Sequence, residues 1–476
     1  MAQAMNTRSL AWVATALAGS EMDLLVKDGF GHKRDQEWAG AVIDSRSECS
    51  GRLFFALRGE ATDGHRYVAD AFSSGCAAVI VDDQSVCPAL EREGIPYLLV
   101  GDSRRALQEL ARAYRSKLEI RVIAITGSAG KTTTKEYVHR IMKSRYRVFA
   151  NPGNFNSMIG VPVTILETGS DNEYLISEVG ANQSGEIEFL SQLLQPEIGV
   201  ITNIGDAHLG MFGSVDGIAQ AKAELLDHLA SHGHAVLPRD DAYFGFFAEK
   251  NPARTVSFGR SDKADFVLRE VKPRKDGFGI SLQVNDWSLE LAAVGEYNAL
   301  NACAAFAVGD VCGVEPQSIR EALVASACTP GRGRVHAVGG VTVVDESYNA
   351  SPASMTASLG MLQSLHATRL VAVLGDMKEL GEFSDERHRA LGERLVAAGV
   401  DAAYWLGESG TLVMDGYKAA GGSARFRNCA SIEDLVGEVG EYVRTGDAVL
   451  VKASRAVGLD HFVSGLLDVL KAKAEN

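Results

Sequence analysis

The chain has 476 residues, of which 46% are hydrophobic and 23% charged, so it can bury ample core; disorder, collagen or coiled coil is excluded as its dominant state. Lys and Arg number 47 against 61 Asp and Glu, a formal charge of −14 with no basic block. Binding to nucleic acid or to an anionic membrane through overall charge is therefore not expected, and any anionic ligand needs a local site. The 7 cysteines are scattered, with no C-x-x-C pair, which fits reduced thiols in a cytoplasmic protein. No run of about 18 apolar residues occurs, so no membrane span is expected.

The stretch up to Asp23 sets Trp12 among alternating polar residues and reads as an amphipathic helix, not a secretory signal. Strands are expected at Ala41–Ile43, Leu53–Leu57, Ala77–Val81 and Tyr97–Val100. A helix is expected over Ser103–Lys117, with Ser103 as its N-cap and Leu107, Leu110, Ala111 and Tyr114 on one face. Residues 1–118 thus read as a small α/β domain. The second block, 119–328, opens on the apolar strand Arg121–Thr126, a glycine turn and a helix from Lys131. Strands at Tyr174–Val179 and Ile198–Asn203 and a helix around 215–231 extend the alternation, which predicts a mostly parallel sheet covered on both faces. From about 255 to 294 shorter strands and the turn Lys275-Asp-Gly277 predict an antiparallel flank, closed by helices near 297–312 and 316–326.

Thr329-Pro-Gly-Arg-Gly-Arg334 reads as a linker. Beyond it, strands at Val341–Asp345, Arg369–Leu374, Ala402–Leu406 and Ala448–Val451 alternate with helices at 352–365, 384–398, 431–443 and 458–471. Residues 329–476 are thus expected to form a Rossmann-like doubly wound domain. The expected fold class is α/β in three domains: a small N-terminal α/β domain, a central P-loop-type ATPase domain with a mostly parallel sheet, and the Rossmann-like C-terminal domain.

Thr126-Gly127-Ser128-Ala129-Gly130-Lys131-Thr132-Thr133 lies between a buried strand and a helix. There the glycines let backbone N–H groups turn toward phosphate oxygens, and the helix N-terminus adds partial positive charge. Lys131 reaches the outer phosphates and Thr132 offers a hydroxyl to Mg²⁺. Only two residues separate Gly127 from Gly130, where an ordinary P-loop has four.

This shorter loop resembles the ATP loop of the Mur ligase family and of the related folylpolyglutamate synthetases, which activate a carboxylate with ATP to form an amide. Other segments line up in order along the chain. Asn154-Phe-Asn156 with Gly160-Val-Pro162 is similar to the segment that faces the acyl substrate. Ser177-Glu-Val-Gly-Ala-Asn182 and Thr202-Asn-Ile-Gly-Asp-Ala-His208 resemble two strand ends at which Glu178 and His208 would bind metal. Both follow expected parallel strands, at the sheet edge where such folds bind ligands. Lys222 stands where the family carbamylates a lysine; the carbamate would turn a repelling cation into an oxygen donor suited to Mg²⁺. Gly295-Glu-Tyr-Asn-Ala-Leu-Asn301 resembles a GxHNxxN segment whose asparagines approach adenine, so Asn298 and Asn301 are implied there, with Tyr297 where His is common. Arg334 matches a hinge arginine expected to reach the nucleotide, and Asp345 a nucleotide contact.

Val344-Asp-Glu-Ser-Tyr-Asn-Ala-Ser-Pro352 is the most discriminating segment. It resembles DDSYNANP of the family branch that joins D-alanyl-D-alanine to UDP-MurNAc-tripeptide, with Glu346 for the second Asp and Ser351 for the second Asn. Leu374-Gly-Asp-Met-Lys-Glu-Leu-Gly381 and Val451-Lys-Ala-Ser-Arg455 are similar to further segments of that branch, and Asp44-Ser-Arg46 to its uridine-diphosphate domain. The resemblance implies Ser45, Arg46, Asn154, Asn156, Tyr348, Asn349 and Ser351 as substrate contacts. It also implies Lys131, Glu178, His208 and Lys222 as catalytic, with Thr132, Glu178, His208 and Lys222 on two Mg²⁺ ions. The implied partners are the UDP-linked tripeptide and the dipeptide, and a monomer is expected. Two other readings stay open on the residues alone: a sister ligase, or a nucleotide-binding scaffold without catalysis. His228, His232 and His234 read as structural, and Cys303 as core packing.

Overall fold

The computed structural model describes residues 8–20, 24–60, 62–274, 278–326 and 328–475. Parts of the expected N-terminal helix and the Lys275–Gly277 turn lie outside them. The chain divides into two compact units. The first holds residues 1–124, 146–180 and 189–196, and the second 125–145, 181–188 and 197–476.

In the first unit, β1 (Leu25–Asp28), β2 (Ala41–Val42), β3 (Leu53–Phe55), β4 (Ala78–Val81) and β5 (Tyr97–Val100) form a sheet in the order β1-β5-β4-β3-β2. All neighbours are parallel except β1 against β5. β3, β4 and β5 are buried along their whole length, as their unbroken apolar runs predict. β1 escaped the sequence reading because it is a half-exposed edge with no clean alternation. The helix after β5 runs Ser103–Arg115, and its N-cap is Asp102, not Ser103: the Asp102 carboxylate accepts the N–H groups of Arg104 and Arg105. The N-terminal helix is confined to Leu10–Ala18, where Trp12 packs beside Trp38 and Tyr114.

The central strands are β6 (Arg121–Thr126), β7 (Val148–Ala150), β8 (Tyr174–Glu178), β9 (Ile198–Ile201), β10 (His234–Pro238), β11 (Arg254–Gly259), β12 (Phe266–Pro273), β13 (Ile280–Val284) and β14 (Trp287–Leu291). Residues 121–124 of β6 belong to the first unit and 125–126 to the second. The first unit thus carries the order β6-β8-β7, and the second β14-β13-β12-β11-β10-β9-β6. β9 to β12 pair in parallel, and β13 pairs antiparallel with both β12 and β14, so the expected antiparallel flank starts later than 255. The helix expected around 215–231 ends at Ala223 and is followed by a separate 3-10 turn, Leu226–His228.

The last sheet, within the second unit, contains β15 (Arg334–Val338), β16 (Val341–Asp345), β17 (Arg369–Gly375), β18 (Ala402–Leu406), β19 (Arg425–Cys429) and β20 (Asp447–Lys452) in the order β15-β16-β20-β17-β18-β19. β15 is antiparallel to β16; the other pairs are parallel. Separate apolar clusters, one containing Leu374, Ala403 and Leu450 and the other Val373, Tyr404 and Val451, use alternate residues of the same strands. That is the doubly wound arrangement expected. Arg334 does not sit in a linker: it opens β15, opposite Asp345. β19 was missed because its residues are mostly polar and exposed, as befits an edge strand.

Candidate active site

Within the second unit, the loop after β6 is built on two glycines in backbone conformations that L side chains rarely adopt, Gly127 at φ +144 and Gly130 at φ +80. Each is also closely covered. A Cβ on Gly127 would lie 2.0 Å from Thr202 Oγ1, and one on Gly130 would lie 2.3 Å from Asn301 Oδ1. Gly130 is the N-cap of the Lys131–Lys143 helix and offers no side chain to cap it, which suits an anion at that end. The loop is braced from the end of β9. Ser128 N–H donates to the Asn203 carbonyl at 3.0 Å, Ala129 N–H donates to Asn203 Oδ1 at 3.0 Å, and Thr202 Oγ1 donates to the Ala129 carbonyl at 2.6 Å. From sequence, Thr202 and Asn203 stood only as the start of the segment that ends at His208, and their bracing of the loop was missed. Lys131 folds back, its Nζ donating to the Gly127 carbonyl at 2.7 Å. Thr126, Thr132 and Thr133 are buried.

Lys222, on the Val215–Ala223 helix, is 1% exposed. Burial, and secondarily the charge of Lys131, lower its pKa to about 7. A lysine that is half neutral near neutrality carries the nucleophilic amine that carbamylation by CO₂ requires. His208 follows β9 at φ +62 and faces Glu379, itself at φ +65, with Nδ1 and Oε2 2.7 Å apart. The contact with His208, through hydrogen bonding first and charge second, lowers the pKa of Glu379. Beside it, Gly210 lies against Gly381, where a Cβ on Gly210 would come within 2.5 Å of the Gly381 nitrogen. Asp206 accepts the Ala353 N–H at 3.1 Å. Glu379 was not singled out from sequence.

Asn298 and Asn301 do lie on one buried helix face, Glu296–Val311, but they serve different neighbours. Asn301 abuts the loop at Gly130, while Asn298 donates to the Val294 carbonyl at 2.7 Å and borders Gly333. Asp345 is committed to its own turn: it accepts the N–H groups of Gly331 and Ser347 at 3.0 and 3.1 Å and the Ser347 hydroxyl at 2.6 Å. Arg334 is exposed. Tyr348 lies under the Arg332 guanidinium, 3.9 Å from its ring centroid. The Asn349 side chain accepts the Ala350 N–H, and Ser351 caps the Pro352–Ser364 helix in a capping box with Ser354.

Two groups of expected contacts lie in the first unit. Glu178 ends β8, is 2% exposed and accepts Asn156 Nδ2 at 2.7 Å; its own N–H donates to Asn151 Oδ1 at 2.8 Å. Asn154 lies in the preceding loop, its carbonyl accepting the Asn156 N–H at 2.7 Å. Ser45 and Arg46 follow β2. Arg46 is exposed, and its planar fork is engaged by Asp44 at 2.9 and 2.7 Å, an arrangement that lowers the Asp44 pKa to about 2. Among the described residues no three His, Cys, Asp or Glu side chains converge as a ready metal cage.

An α/β chain with a glycine-shaped phosphate loop and a buried, near-neutral lysine defines a nucleotide-using enzyme. Its residues 38–115 match the Mur ligase family catalytic domain, 125–309 the Mur ligase middle domain and 331–455 the Mur ligase glutamate ligase domain. The chain belongs to the Mur ligase family. It is 34% identical over 431 residues to UDP-N-acetylmuramoyl-tripeptide–D-alanyl-D-alanine ligase of Bacillus subtilis, covering 90% of this chain and 93% of the relative. A crystal structure of MurF from Acinetobacter baumannii superposes with a TM-score of 0.82 at 29% identity, over 97% of this chain and 99% of that one. MurF ligase from Thermotoga maritima in complex with ADP gives a TM-score of 0.79 at 29% identity, over 91% and 98%.

Proposed function

We propose that this chain is an ATP-dependent ligase that adds D-alanyl-D-alanine to UDP-N-acetylmuramoyl-tripeptide, giving the UDP-linked pentapeptide, ADP and phosphate. The observation that carries this reading is the Gly127–Thr133 loop with Lys222 near neutrality within reach of Lys131's charge. It stands in a chain that spans 93% of a ligase of that name.

The chemistry follows from the need to make a carboxylate oxygen a leaving group. An oxygen of the tripeptide's terminal carboxylate attacks the γ-phosphorus of ATP, ADP departs, and an acyl phosphate forms. The dipeptide amine attacks the acyl carbon, the C–O bond to phosphate breaks, and the amine loses its proton. No protein nucleophile is needed, so the chain's task is positioning and charge neutralisation. The loop N–H groups and Lys131 hold the β- and γ-phosphates, Asn298 and Asn301 the adenine side, and Arg334 and Asp345 the rest of the nucleotide. Thr132, Glu178, His208 and Lys222, once carbamylated, are the residues that would offer donors to Mg²⁺, which would neutralise phosphate charge. Ser45 and Arg46 take the UDP end, Asn154 and Asn156 the acyl end, and Tyr348, Asn349 and Ser351 the dipeptide.

In this reading residues 1–118 bind the UDP substrate, 119–328 bind ATP, and 329–476 bind the dipeptide. The work belongs to the cytoplasm, where ATP and the UDP-linked precursor are found, and one chain suffices for it. The test is phosphate release with ATP, Mg²⁺, UDP-MurNAc-tripeptide and D-alanyl-D-alanine, omitting each in turn. Release that needs all four is expected; release driven by a single amino acid in place of the dipeptide overturns the assignment in favour of a sister ligase.

A further inference from the structure

Tyr297, Glu346, Ser358 and Lys452 meet in the second unit as a polar cluster that the ligase chemistry above does not use. Glu346 and Lys452 are 4% and 6% exposed. Lys452 Nζ donates to Glu346 Oε2 at 3.1 Å and to the Asn349 carbonyl at 3.1 Å. The Ser358 hydroxyl donates to the same Glu346 oxygen, and the Tyr297 hydroxyl donates to the other, Oε1. Both carboxylate oxygens are thereby satisfied, and the buried charges balance as one anion and one cation.

The four residues come from four elements. Tyr297 is the second residue of the Glu296–Val311 helix, directly before Asn298. Glu346 follows β16, Lys452 ends β20, and Ser358 lies on the Pro352–Ser364 helix. Gly333 passes between the parts at φ +84: a Cβ there would lie 2.9 Å from Asn298 Nδ2 and 3.5 Å from Glu346 Oε1. Tyr297 and Glu346 are also two of the positions at which the chain departs from the family pattern, and here they touch. A buried ion pair with added hydrogen bonds is a weak source of net stability, and its best-attested use is to fix one register among several. Removing a single partner leaves the others buried and unsatisfied.

We propose that Tyr297, Glu346 and Lys452 are positioning residues that hold the adenine-side helix start and the Tyr348–Ser351 segment in one fixed register. The Tyr297 hydroxyl therefore supports use of ATP and of the dipeptide together. This rests on the ligase reading above, because that reading places the nucleotide at Asn298 and the dipeptide at Tyr348–Ser351. Burial and the Glu346 charge keep the Tyr297 phenol neutral, as a donor, well above its ordinary pKa.

The test compares the full-length wild type with Tyr297→Phe, Glu346→Gln and the double variant, by KM for each of the three substrates and by the ATP-induced shift in Tm. Tyr297→Phe keeps the ring and is expected to raise KM for ATP and for D-alanyl-D-alanine by about three- to tenfold, the range of one buried hydrogen bond. KM for the UDP-linked tripeptide stays within about twofold, the size of effect expected where no contact is lost. The double variant is expected to cost less than the sum of the single changes. Equal rises for all three substrates, a Tm loss with every KM unchanged, or strict additivity overturns the proposal. If Glu346→Gln does not fold, Tyr297→Phe alone decides by the split in KM. If the wild type shows no dipeptide-dependent phosphate release, the ligase reading fails first. The ATP-induced shift then judges the nucleotide half, and a shift in Tyr297→Phe equal to that of the wild type overturns it.

Discussion

Two glycine-bearing segments of the second unit look alike in sequence and do different things. In the phosphate loop, Gly127 and Gly130 adopt positive φ through the strand-to-helix turn, with Thr202 and Asn301 pressed against the missing Cβ positions. In the stretch before β15, Gly331 and Gly333 also adopt positive φ, at +74 and +84, but their N–H groups point inward to Asp345. In the first arrangement Ser128 and Ala129 give their N–H groups to Asn203 at the end of β9, which fixes the turn against the start of the Lys131–Lys143 helix. In the second the glycine N–H groups themselves go to Asp345 and anchor a crossing. Glycine content alone does not separate the two; the neighbours that receive the N–H groups do.

The largest expected effect comes from removing the loop's cation. Lys131→Ala is expected to lower kcat for dipeptide-dependent phosphate release by about 10²- to 10³-fold, the cost of deleting one preorganised group at the reacting centre. An equal change at Arg332, near the other glycines, is expected to leave kcat far closer to wild type; a similar loss there would break the contrast.

Next comes Lys222, whose removal as Lys222→Ala is expected to cost about 10- to 100-fold in activity, the range seen when the support of a metal site is lost. The pH dependence has a definite sign. With a pKa of about 7, the amine is protonated and inert to CO₂ below that pH and neutral above it. After CO₂ is stripped, bicarbonate should restore activity above about pH 7 and poorly below it. It should restore nothing in Lys222→Arg, because a guanidinium stays charged. Mass spectrometry of the intact chain without acid quenching checks the carbamate directly.

The remaining two predictions concern stability. Gly130→Ala is expected to destabilise the fold by about 1–3 kcal/mol, since alanine there must take a left-handed conformation against Asn301, and a fall in Tm measures it. Asp345→Asn keeps one acceptor for the anchored crossing and is expected to cost only about 0.5–1.5 kcal/mol, the worth of one hydrogen bond. If Asp345→Asn proved the more damaging of the pair, the crossing and not the loop would be the more strained segment.

The phosphate loop was legible because its chemistry is contiguous: strand, two glycines, lysine, two threonines and helix follow within one short segment. Strands β4, β5, β6 and β20 were legible because burial on both faces leaves a nearly unbroken apolar run. Arg334 was read as linker because glycine and proline signal a turn regardless of what pairs next; only its partner Asp345 makes it a strand. Likewise Ser103 resembled an N-cap until Asp102, one residue earlier, proved to hold the helix N–H groups. Glu379 and Lys452 lay inside segments with a family likeness, but their own parts were illegible, since each gains meaning from a partner far away in the chain, His208 or Glu346.

What the amino-acid sequence determined by itself is the three-sheet α/β plan, the nucleotide loop and the order of its family segments. These follow from hydrophobic period, turn residues and local spacing, which are properties of neighbours along the chain. Tertiary structure alone decided that Lys222 is buried enough to be near neutral. It also decided that Thr202 and Asn203 brace the loop, and that Tyr297 and Lys452 share one carboxylate. Desolvation and hydrogen-bond partnership depend on which surfaces are brought together in space, and no window along the sequence contains that information.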